Sequence, residues 1–421
     1  MVRVALRRLL PLALLPALQG CSAFSSLPRE TLHIAVVEMG GVSATAGIDH
    51  AELAKPVVEA FRRLNPNVEL RIRNLPEQNL AQVLRLQQQR GLEPDLLLVR
   101  APVAISLRRA GLVDAVPSNA AMRQTLASIE PSALQRVRER GELVGLPVAK
   151  EITLACYDRK RMDRAPSTIQ ELQALAASGR SIGVAVEPIG IWWSAGPFGA
   201  TRAMIPVITG HPASPPQDPA QAKGSLVRWL WWLRQLALQS RVDIASGDNA
   251  PEELMQGLIS GRLAWIPCYS LSLRALDQAM GPRLGVGVLP SGPDGPASPF
   301  SSERVWTFGT DSSANQRLLA ERLARLSLDP MLQRQITLTN QATMPVNRFT
   351  SVPVADSGRL AAMAQAQEHF RMGSSGLGMP FSSSRVAVVL PRIKSLLFEA
   401  MVGVQTPEQA AQRLLDLGNE P

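Results

Sequence analysis

Apolar positions in the first third of the chain follow two periods, one typical of strands and one typical of helices. Residues 31–37 and 68–73 are predicted strands, and residues 96–99 form a fully apolar run, as expected for a strand buried on both faces. In residues 51–64 and 79–89 apolar positions follow helical spacing. This βαβαβ order predicts an α/β sheet with ligand-binding loops at the carboxyl ends of its strands.

The pattern changes in residues 143–168. Gly145 and Pro147 indicate a turn, and polar residues including Glu151 interrupt the apolar run before residues 152–157 alternate as a strand. A chain of 421 residues is too long for one core, so two lobes are expected. We interpret this stretch as the place where the chain leaves one lobe and enters the other, with Glu151 facing the gap between them.

The rest of the chain continues to mix helices and strands. Further helices are predicted at 168–177, 226–238, 251–260, 315–326, 360–370, 384–402 and 407–417, with another beginning at Pro330. Further strands are predicted at 182–186, 263–266, 284–289 and 304–309. No internal repeat is present, so a solenoid or propeller is not expected.

The first 20 residues read as a secretory signal. Arg3, Arg7 and Arg8 precede an apolar run at 9–18 that is too short to span a membrane and is interrupted by prolines. The segment ends in the letters LQGC, which resemble a bacterial lipobox and make Cys21 the expected lipidation site. Residues 21–30 then form a short tether, so we expect a protein anchored outside the cytoplasmic membrane.

Charge and cysteine content narrow the possible functions. The formal charge is +9, or +6 without the three arginines of the signal segment, and only five of the 44 basic residues are lysines. The basic residues are scattered, without the basic patch and interleaved aromatics of a nucleic-acid binder. Beyond Cys21, the apolar surroundings of Cys156 and Cys268 are compatible with two buried thiols or with a disulfide, and sequence alone leaves both open.

An ordered set of short motifs resembles the extracellular solute-binding proteins of ABC importers, in the maltose-binding-like group. The motifs are PD at 94–95 with AGLV at 110–113, LVGLPV at 143–148 with CYD at 156–158, APSTIQEL at 165–172, GLISGRLA at 257–264 and QTPEQA at 405–410. They run in order over nearly the whole mature chain, and the lipobox agrees with them.

The resemblance implies a two-lobed α/β fold with three crossings between the lobes, near 149–152, 305–309 and 344–347. The first lobe then comprises residues 31–148 and 305–343, and the second comprises 149–304 and 344–421. It also implies a monomeric periplasmic or extracytoplasmic receptor that closes on a small polar solute, most readily a sugar or polyol, and docks on a membrane permease. No cofactor is implied.

Candidate ligand-binding residues lie at strand ends and crossings. Carboxylates can accept from vicinal hydroxyls, arginine can donate to them, aromatic faces can stack on a sugar, and glycine lets backbone amides approach. Each candidate also has a structural alternative, such as a flexible turn, a surface ion pair or a place in the core. The candidates are Glu38, Gly41, Arg100, Glu151, Glu187, Trp192, Trp193, Tyr269 and Trp306, whereas Trp229 and Trp232 have helical spacing typical of core.

Two other functions remain compatible with the sequence. An exported glycoside hydrolase would use Glu151 and Glu187 as its carboxylate pair, but the chain has neither HExxH metal spacing nor a GxSxG nucleophile motif. The same fold could instead signal in its closed state to a membrane receptor rather than feed a permease. A binding protein without catalytic residues or metal is therefore the expected class.

Overall fold

The computed structural model describes residues 30–38, 51–213, 217–247, 249–373 and 384–420. Its strands are β1 Glu30–Glu38, β2 Val68–Pro76, β3 Leu96–Arg100, β4 Arg138–Glu139, β5 Glu142–Leu143, β6 Leu146–Asp158, β7 Ile182–Ala185, β8 Val242–Ala245, β9 Trp265–Tyr269, β10 Leu284–Gly287, β11 Ser301–Phe308 and β12 Met344–Pro345. Its α-helices are α1 Ala51–Leu64, α2 Leu80–Gln88, α3 Ala101–Arg109, α4 Ala120–Leu126, α5 Pro131–Gln135, α6 Ile169–Ala177, α7 Pro188–Ile191, α8 Ala200–Thr209, α9 Pro219–Ala237, α10 Ala250–Ile259, α11 Leu273–Met280, α12 Ala314–Leu326, α13 Pro330–Asn340, α14 Gly358–Gly373, α15 Ser384–Val402 and α16 Pro407–Asn419.

Buried apolar residues divide the molecule into two lobes. Two of the four core clusters draw only on residues 32–146 and 305–346, and the other two draw only on residues 152–297 and 360–417. Each lobe is therefore discontinuous in sequence. The predicted two-lobed α/β architecture is confirmed.

The first lobe is built on a parallel sheet. Strand β1 pairs in parallel with β2 and with β3, and helices cover both faces of the sheet. Strand β11 adds to β3 in the antiparallel direction, with Phe308 opposite Leu96 and Arg304 opposite Arg100. The carboxyl end of β3 therefore lies beside the amino-terminal half of β11.

The second lobe repeats the parallel arrangement with three short strands. Strand β7 pairs in parallel with β8 and β9, and β9 runs antiparallel to β6 with Tyr269 opposite Thr153. Strand β10 pairs with the last residues of β6. Because β7 and β8 point the same way as β9, all three strands end on the side where β6 enters this lobe.

The long strand β6 connects the lobes, and two other strands lie beside it. Its first half pairs with β11 and, at Lys150 and Ala149, with β12, whereas its second half pairs with β9 and β10. The ranges 149–152 and 344–347, which the sequence assigns to the first and third crossings, include these paired residues. The second crossing is expected at 305–309, where Val305 to Phe308 pair with β3 inside the first lobe, whereas Ser301 to Glu303 pair with β6 and not with β3.

Cys156 and Cys268 are joined by a disulfide, which settles the alternative that the sequence left open. The two cysteines lie on the paired strands β6 and β9, and both are buried in the core of the second lobe. Disulfides are stable in oxidising compartments, so the bond agrees with an exported protein.

Several predictions fall outside the described residues. These are the signal segment 1–20, Cys21 with the start of its tether, and Gly41. Glu38 is described as the last residue of β1, opposite Pro76. Among the helices that the structure describes, none has the length and apolar character needed to cross a membrane.

Candidate functional site

The carboxyl ends of the strands in both lobes converge on the crossings. In the first lobe, Arg100 ends β3 and lies opposite Arg304. In the second lobe, Tyr269 ends β9 and lies opposite Thr153, while Ser302 lies opposite Glu151 between these two pairs. Side chains at the ends of parallel strands are the usual ligand contacts of open α/β sheets. The register therefore brings the binding edges of both lobes to one place.

Arginine side chains occupy the first-lobe edge. Arg100 donates from Nε to Oε2 of Glu77 at 3.0 Å, and its Nη2 also contacts the second carboxylate oxygen of Glu77. Arg304 reaches across the strand ends and donates from Nη2 to the carbonyl oxygen of Val37 at 3.0 Å. A two-point carboxylate pair fixes the guanidinium plane of Arg100, so its remaining N–H groups keep a defined direction.

Glu151 and Arg304 form the most unusual part of this edge. The two residues are only 3% and 1% exposed. Within the described residues, Oε2 of Glu151 and both Nε and Nη1 of Arg304 have no hydrogen-bond partner. A buried charged group without its hydrogen bonds is costly, so such groups at a strand edge indicate a site that a polar ligand completes.

Burial acts on the ionisation of both groups. It raises the pKa of the Glu151 carboxyl above its ordinary value, although the charges of Arg304 and Arg100 oppose the shift. It lowers the pKa of the Arg304 guanidinium, and there the charge of Glu151 is the main opposing influence. Each side chain is thus the principal opposite charge for the other, even though no direct hydrogen bond joins them.

The second-lobe edge contributes a tyrosine and a carboxylate. Burial raises the pKa of Tyr269 to about 12, with the charge of Arg100 opposing and those of Glu151 and Glu187 adding to the rise. The phenol therefore stays protonated and can both donate and accept. Glu187 follows β7, and its Oε1 accepts from the Gly247 amide at 2.7 Å and pairs with the Lys394 ammonium at 2.6 Å.

Three tryptophan predictions are corrected by burial. Trp192 and Trp193 lie in the 3₁₀ segment Trp192–Phe198, and both belong to the apolar core cluster of the second lobe, where their rings pack against other apolar side chains. The Trp193 ring packs edge-on against Trp232 and Trp265, with centroids 6.0 and 5.7 Å away. Trp306 is 1% exposed in the first-lobe core.

These three rings belong to the hydrophobic cores of the two lobes. The prediction that Trp229 and Trp232 belong to the core is confirmed, since both are buried in the second lobe.

The opposite face of the crossings carries a second charged group. Because side chains alternate along β6, Lys150 points away from Glu151, and its ammonium pairs with Glu130 at 2.8 Å. Glu303 pairs with Arg136, whose guanidinium lies 5.4 Å from the Phe370 ring centroid. Arg136 belongs to the first lobe and Phe370 to the second, so the lobes also touch behind the site.

Stability of Glu151→Gln should depend on pH differently from wild type. A carboxyl whose pKa is raised on folding contributes stability below its ordinary value of 4.5, and that stability is lost as pH rises through the higher pKa. Wild type therefore loses stability between these two values, and the variant keeps it. Urea unfolding is measured without solute from pH 4 to 8. The free energy of unfolding of the variant should rise relative to that of wild type as pH increases.

Glu171→Gln is the control variant, because the pKa of Glu171 shifts on folding in the opposite direction from that of Glu151. Hydrogen bonds from Arg164, and from Ser167 after it, lower the pKa of Glu171 to about 2. That carboxylate therefore favours the folded state above its ordinary pKa, and the benefit is lost as pH falls. A pH-independent difference between wild type and Glu151→Gln would contradict the buried-carboxylate interpretation.

Sequence reasoning missed three members of the site. Glu77, Arg304 and Lys394 are remote from each other in sequence, and Arg304 was expected only as the start of a strand. Its position opposite Arg100 follows from the strand order, which periodicity does not reveal. Glu77 could have been identified from the sequence, because it is a polar residue near the carboxyl end of a predicted strand.

Over the part of the chain that the structure describes, histidine, cysteine, aspartate and glutamate form no group of three or more placed to hold an ion. The site instead offers carboxylates, guanidinium groups and a phenol, which are suited to hydrogen bonding.

Comparison with known proteins agrees with this geometry. A family model described as bacterial extracellular solute-binding protein matches residues 57–356, more than half of the chain. No curated protein matches the sequence.

Two solved structures share the fold over almost their full length. One is a cyclo/maltodextrin-binding protein complexed with maltotetraose, with a TM-score of 0.64 and 17% identity, covering 92% of this chain and 96% of that one. The other is the GacH receptor of Streptomyces glaucescens GLA.O, solved unliganded and with acarbose, with a TM-score of 0.67 and 13% identity, covering 92% and 97%. At these identities the likeness concerns the fold.

Proposed function

Because the chain belongs to the bacterial extracellular solute-binding proteins, we propose that it captures a small polar solute between its lobes and delivers it to an ABC permease. The observation that carries the proposal is the buried pair of Glu151 and Arg304, whose unpartnered atoms lie where the strand ends of both lobes meet. A solute hydroxyl can donate to the carboxylate and accept from the guanidinium, which supplies what both groups lack. Family membership places the chain among binding proteins rather than enzymes.

The charge balance of the site favours a neutral solute. Among the side chains that the structure describes at this edge, Glu77, Glu151 and Glu187 face Arg100, Arg304 and Lys394. These six side chains carry no net charge, so they suit groups that both donate and accept, and a sugar or polyol is the proposed class. The two structural neighbours bind maltotetraose and acarbose, which supports a carbohydrate.

Closure about the three crossings would complete the site. We assign residues 31–148 and 305–343 to the first lobe and 149–304 and 344–421 to the second, with the crossing in β11 at 301–304. Arg100 and Tyr269 approach the solute from different lobes, so a solute that contacts both binds the closed form more tightly. Such differential binding shifts the population toward closure, the form that would dock on the permease.

The export proposal rests on the amino terminus and on the disulfide. Lipidation of Cys21 would hold the protein at the outer face of the cytoplasmic membrane, with residues 21–30 as the tether. Cys21→Ser should release the protein into the soluble fraction, and continued membrane association of that variant would remove the anchor from the proposal.

A thermal unfolding screen of the full chain tests the function. Sugars, polyols and amino acids are added separately, and a bound solute stabilises the native state by about 2.7 kcal/mol at one hundred times its Kd. We expect sugars or polyols to raise Tm in proportion to the logarithm of concentration. If only amino acids do so, the carbohydrate class is wrong.

The two tyrosines of the chain provide a matched pair of variants for that screen. Tyr269→Phe removes a hydroxyl at the site and should weaken solute binding by roughly tenfold, the value of one hydrogen bond. Tyr157→Phe makes the same chemical change in the second-lobe core, opposite Trp265, and should leave solute affinity unchanged. Equal affinities in the two variants would remove Tyr269 from the site.

A further inference from the structure

An apolar groove lies on the surface of the first lobe, and its volume is about 650 Å³. It runs between the ends of α1, α4 and α12, the start of α13 and residues 347–349. The N–H of Arg348 donates to the carbonyl oxygen of Ser128 at 2.9 Å, so the segment that carries Phe349 packs on the first lobe. The apolar lining residues are Phe61, Leu64, Leu326, Leu328, Pro330 and Phe349.

Three large apolar side chains at this groove are exposed to solvent. Leu64 and Phe349, which line it, are 69% and 65% exposed. Met331, which follows the lining residue Pro330, is 74% exposed. Exposed apolar side chains that cluster around a groove indicate a surface that another molecule covers.

Positive charge surrounds these apolar side chains. Arg322 and Arg325 line the groove, and the guanidinium of Arg348 lies 4.8 Å from the ring centroid of Phe349. Arg325 is held by its Nε, which donates to Oγ1 of Thr125 at 3.2 Å. Arg322 and Arg348 are exposed, and within the described residues neither forms an ion pair. Their guanidinium groups are therefore available to an anion on another molecule.

The acidic side chain of the lining is engaged within the fold. Asp329 precedes α13, and its Oδ1 accepts from the backbone N–H groups of Met331 and Leu332, each at 3.0 Å. Against the three arginines of the groove, its charge leaves a formal total of +2. Apolar side chains beside an excess of arginine match an anionic lipid surface, where acyl chains adjoin phosphate groups.

The amino-terminal end of β1 lies beside this groove. Glu30, the first residue of β1, is opposite Val68 in β2. The N–H of Val68 donates to the carbonyl oxygen of Asn65 at 3.1 Å, and Asn65 lines the groove. Nine residue steps separate Cys21 from Glu30, so a fully extended tether reaches about 30 Å. A lipid anchor at Cys21, as proposed above, therefore keeps this face within reach of the bilayer.

We propose that this face of the first lobe rests on the anionic phospholipid bilayer that holds Cys21. The two exposed arginines contact lipid phosphates, and Leu64, Met331 and Phe349 enter the interface between headgroups and acyl chains. The location of the bilayer rests on the proposed lipidation of Cys21, whereas the contact itself uses only residues of this face.

This orientation turns the solute site away from the membrane. Strand β1 runs from Glu30 at the lipid-facing end to Val37 near its carboxyl end, where the Val37 carbonyl oxygen accepts from Arg304 at the solute site. The contact is reversible, because a few interfacial side chains supply only modest binding. It therefore gives way when the protein docks on a permease, and it does not hold the Cys21→Ser variant in washed membranes.

Vesicle sedimentation of the full chain carrying Cys21→Ser tests the contact without a lipid anchor. The two vesicle preparations are phosphatidylcholine alone and an equal mixture of phosphatidylcholine and phosphatidylglycerol. We expect a partition coefficient roughly tenfold higher with the anionic vesicles at low ionic strength, and most of that difference should be lost in about 0.5 M sodium chloride. Equal partition into the two preparations overturns the proposal. The result is independent of the anchor, whose own test is the release of the same variant from washed membranes.

Two matched pairs of variants separate this face from the general positive charge of the chain. Leu64→Ser and Arg322→Gln, both at the groove, should each lower partition into anionic vesicles roughly fivefold. Leu238→Ser changes a leucine of the second lobe that is 70% exposed, and Arg241→Gln changes an exposed arginine of that lobe. Both of these control variants should bind like the parent chain, and equal losses within either pair overturn the proposal.

A second copy of the chain is the other occupant that measurement can reveal. If sedimentation equilibrium without vesicles shows a dimer that Leu64→Ser dissociates, this face joins two copies and the lipid proposal is overturned. A monomer in that experiment, together with the losses in the two groove variants, supports the lipid contact.

Discussion

Removing the Cys156–Cys268 disulfide should lower the free energy of unfolding by roughly 3–5 kcal/mol. The bond links positions 112 residues apart, so it removes a large amount of chain entropy from the unfolded state. In the folded state it joins β6 and β9, which are already hydrogen-bonded neighbours, so the bond requires no rearrangement of the strands. The second lobe should therefore depend on it more than on any single apolar contact.

Urea unfolding of wild type and of the Cys156→Ala, Cys268→Ala double variant measures this effect. The double variant also loses two buried sulfur atoms, so reduced wild type, which keeps them, reports the bond alone. A reducing agent should move the wild-type transition to lower urea and leave that of the double variant unchanged. Coincident transitions for oxidised wild type and the double variant would show that the bond contributes little.

Arg304→Met should weaken solute binding by about one hundredfold and also destabilise the solute-free protein. Arg304 is the main opposite charge for the buried Glu151, and removing one member of such a pair leaves the other uncompensated at a cost of about 3–5 kcal/mol. The loss of affinity has a separate cause, because the variant lacks the guanidinium that is proposed to donate to the solute.

A double variant separates these two causes. Glu151→Gln combined with Arg304→Met leaves no isolated charge at the crossing, so stability should recover most of the loss while solute affinity stays low. Urea unfolding without solute gives the first quantity, and calorimetry with the best solute of the thermal screen gives the second. Recovery of both would mean that Arg304 supports the fold without contacting solute, and recovery of neither would contradict the pairing with Glu151.

The position of this pair bears on the proposed closure of the lobes. Glu151 lies on β6 and Arg304 on β11, so the two groups sit on two of the three strands that cross between the lobes. A separate set of interactions lies behind them. Lys150 pairs with Glu130, and Arg136 contacts the ring of Phe370. Bending at the crossings would alter both sets, so the balance between them would set the population of the closed form.

Much of the architecture follows from local patterns in the sequence. Helix α1 has the predicted bounds 51–64, because its apolar stripe and the Asn65-Pro66 stop are both local features. The type and approximate ends of most predicted elements were likewise readable, whereas α4, α5, α8, β8 and α11 were not predicted. These features depend on residues that are close in sequence, where periodicity and turn chemistry are informative.

The roles of single site residues depended on contacts that are distant in sequence. Trp193 follows a strand in a loop that could have faced the solute, yet its 3₁₀ segment places it against Trp232 and Trp265 in the core. Arg304 looked like the first residue of a strand, and its burial beside Glu151 follows from the pairing of β11 with both β3 and β6.

The sequence by itself determined a two-lobed α/β protein whose first crossing carries Glu151, because hydrophobic periods and turn residues act locally. The tertiary structure alone decided that Cys156 bonds Cys268, that the tryptophans named above belong to the cores, and that Arg304 is buried near Glu151. Each of those outcomes requires strands far apart in sequence to lie side by side, and one-residue changes in register would turn the same side chains to the other face.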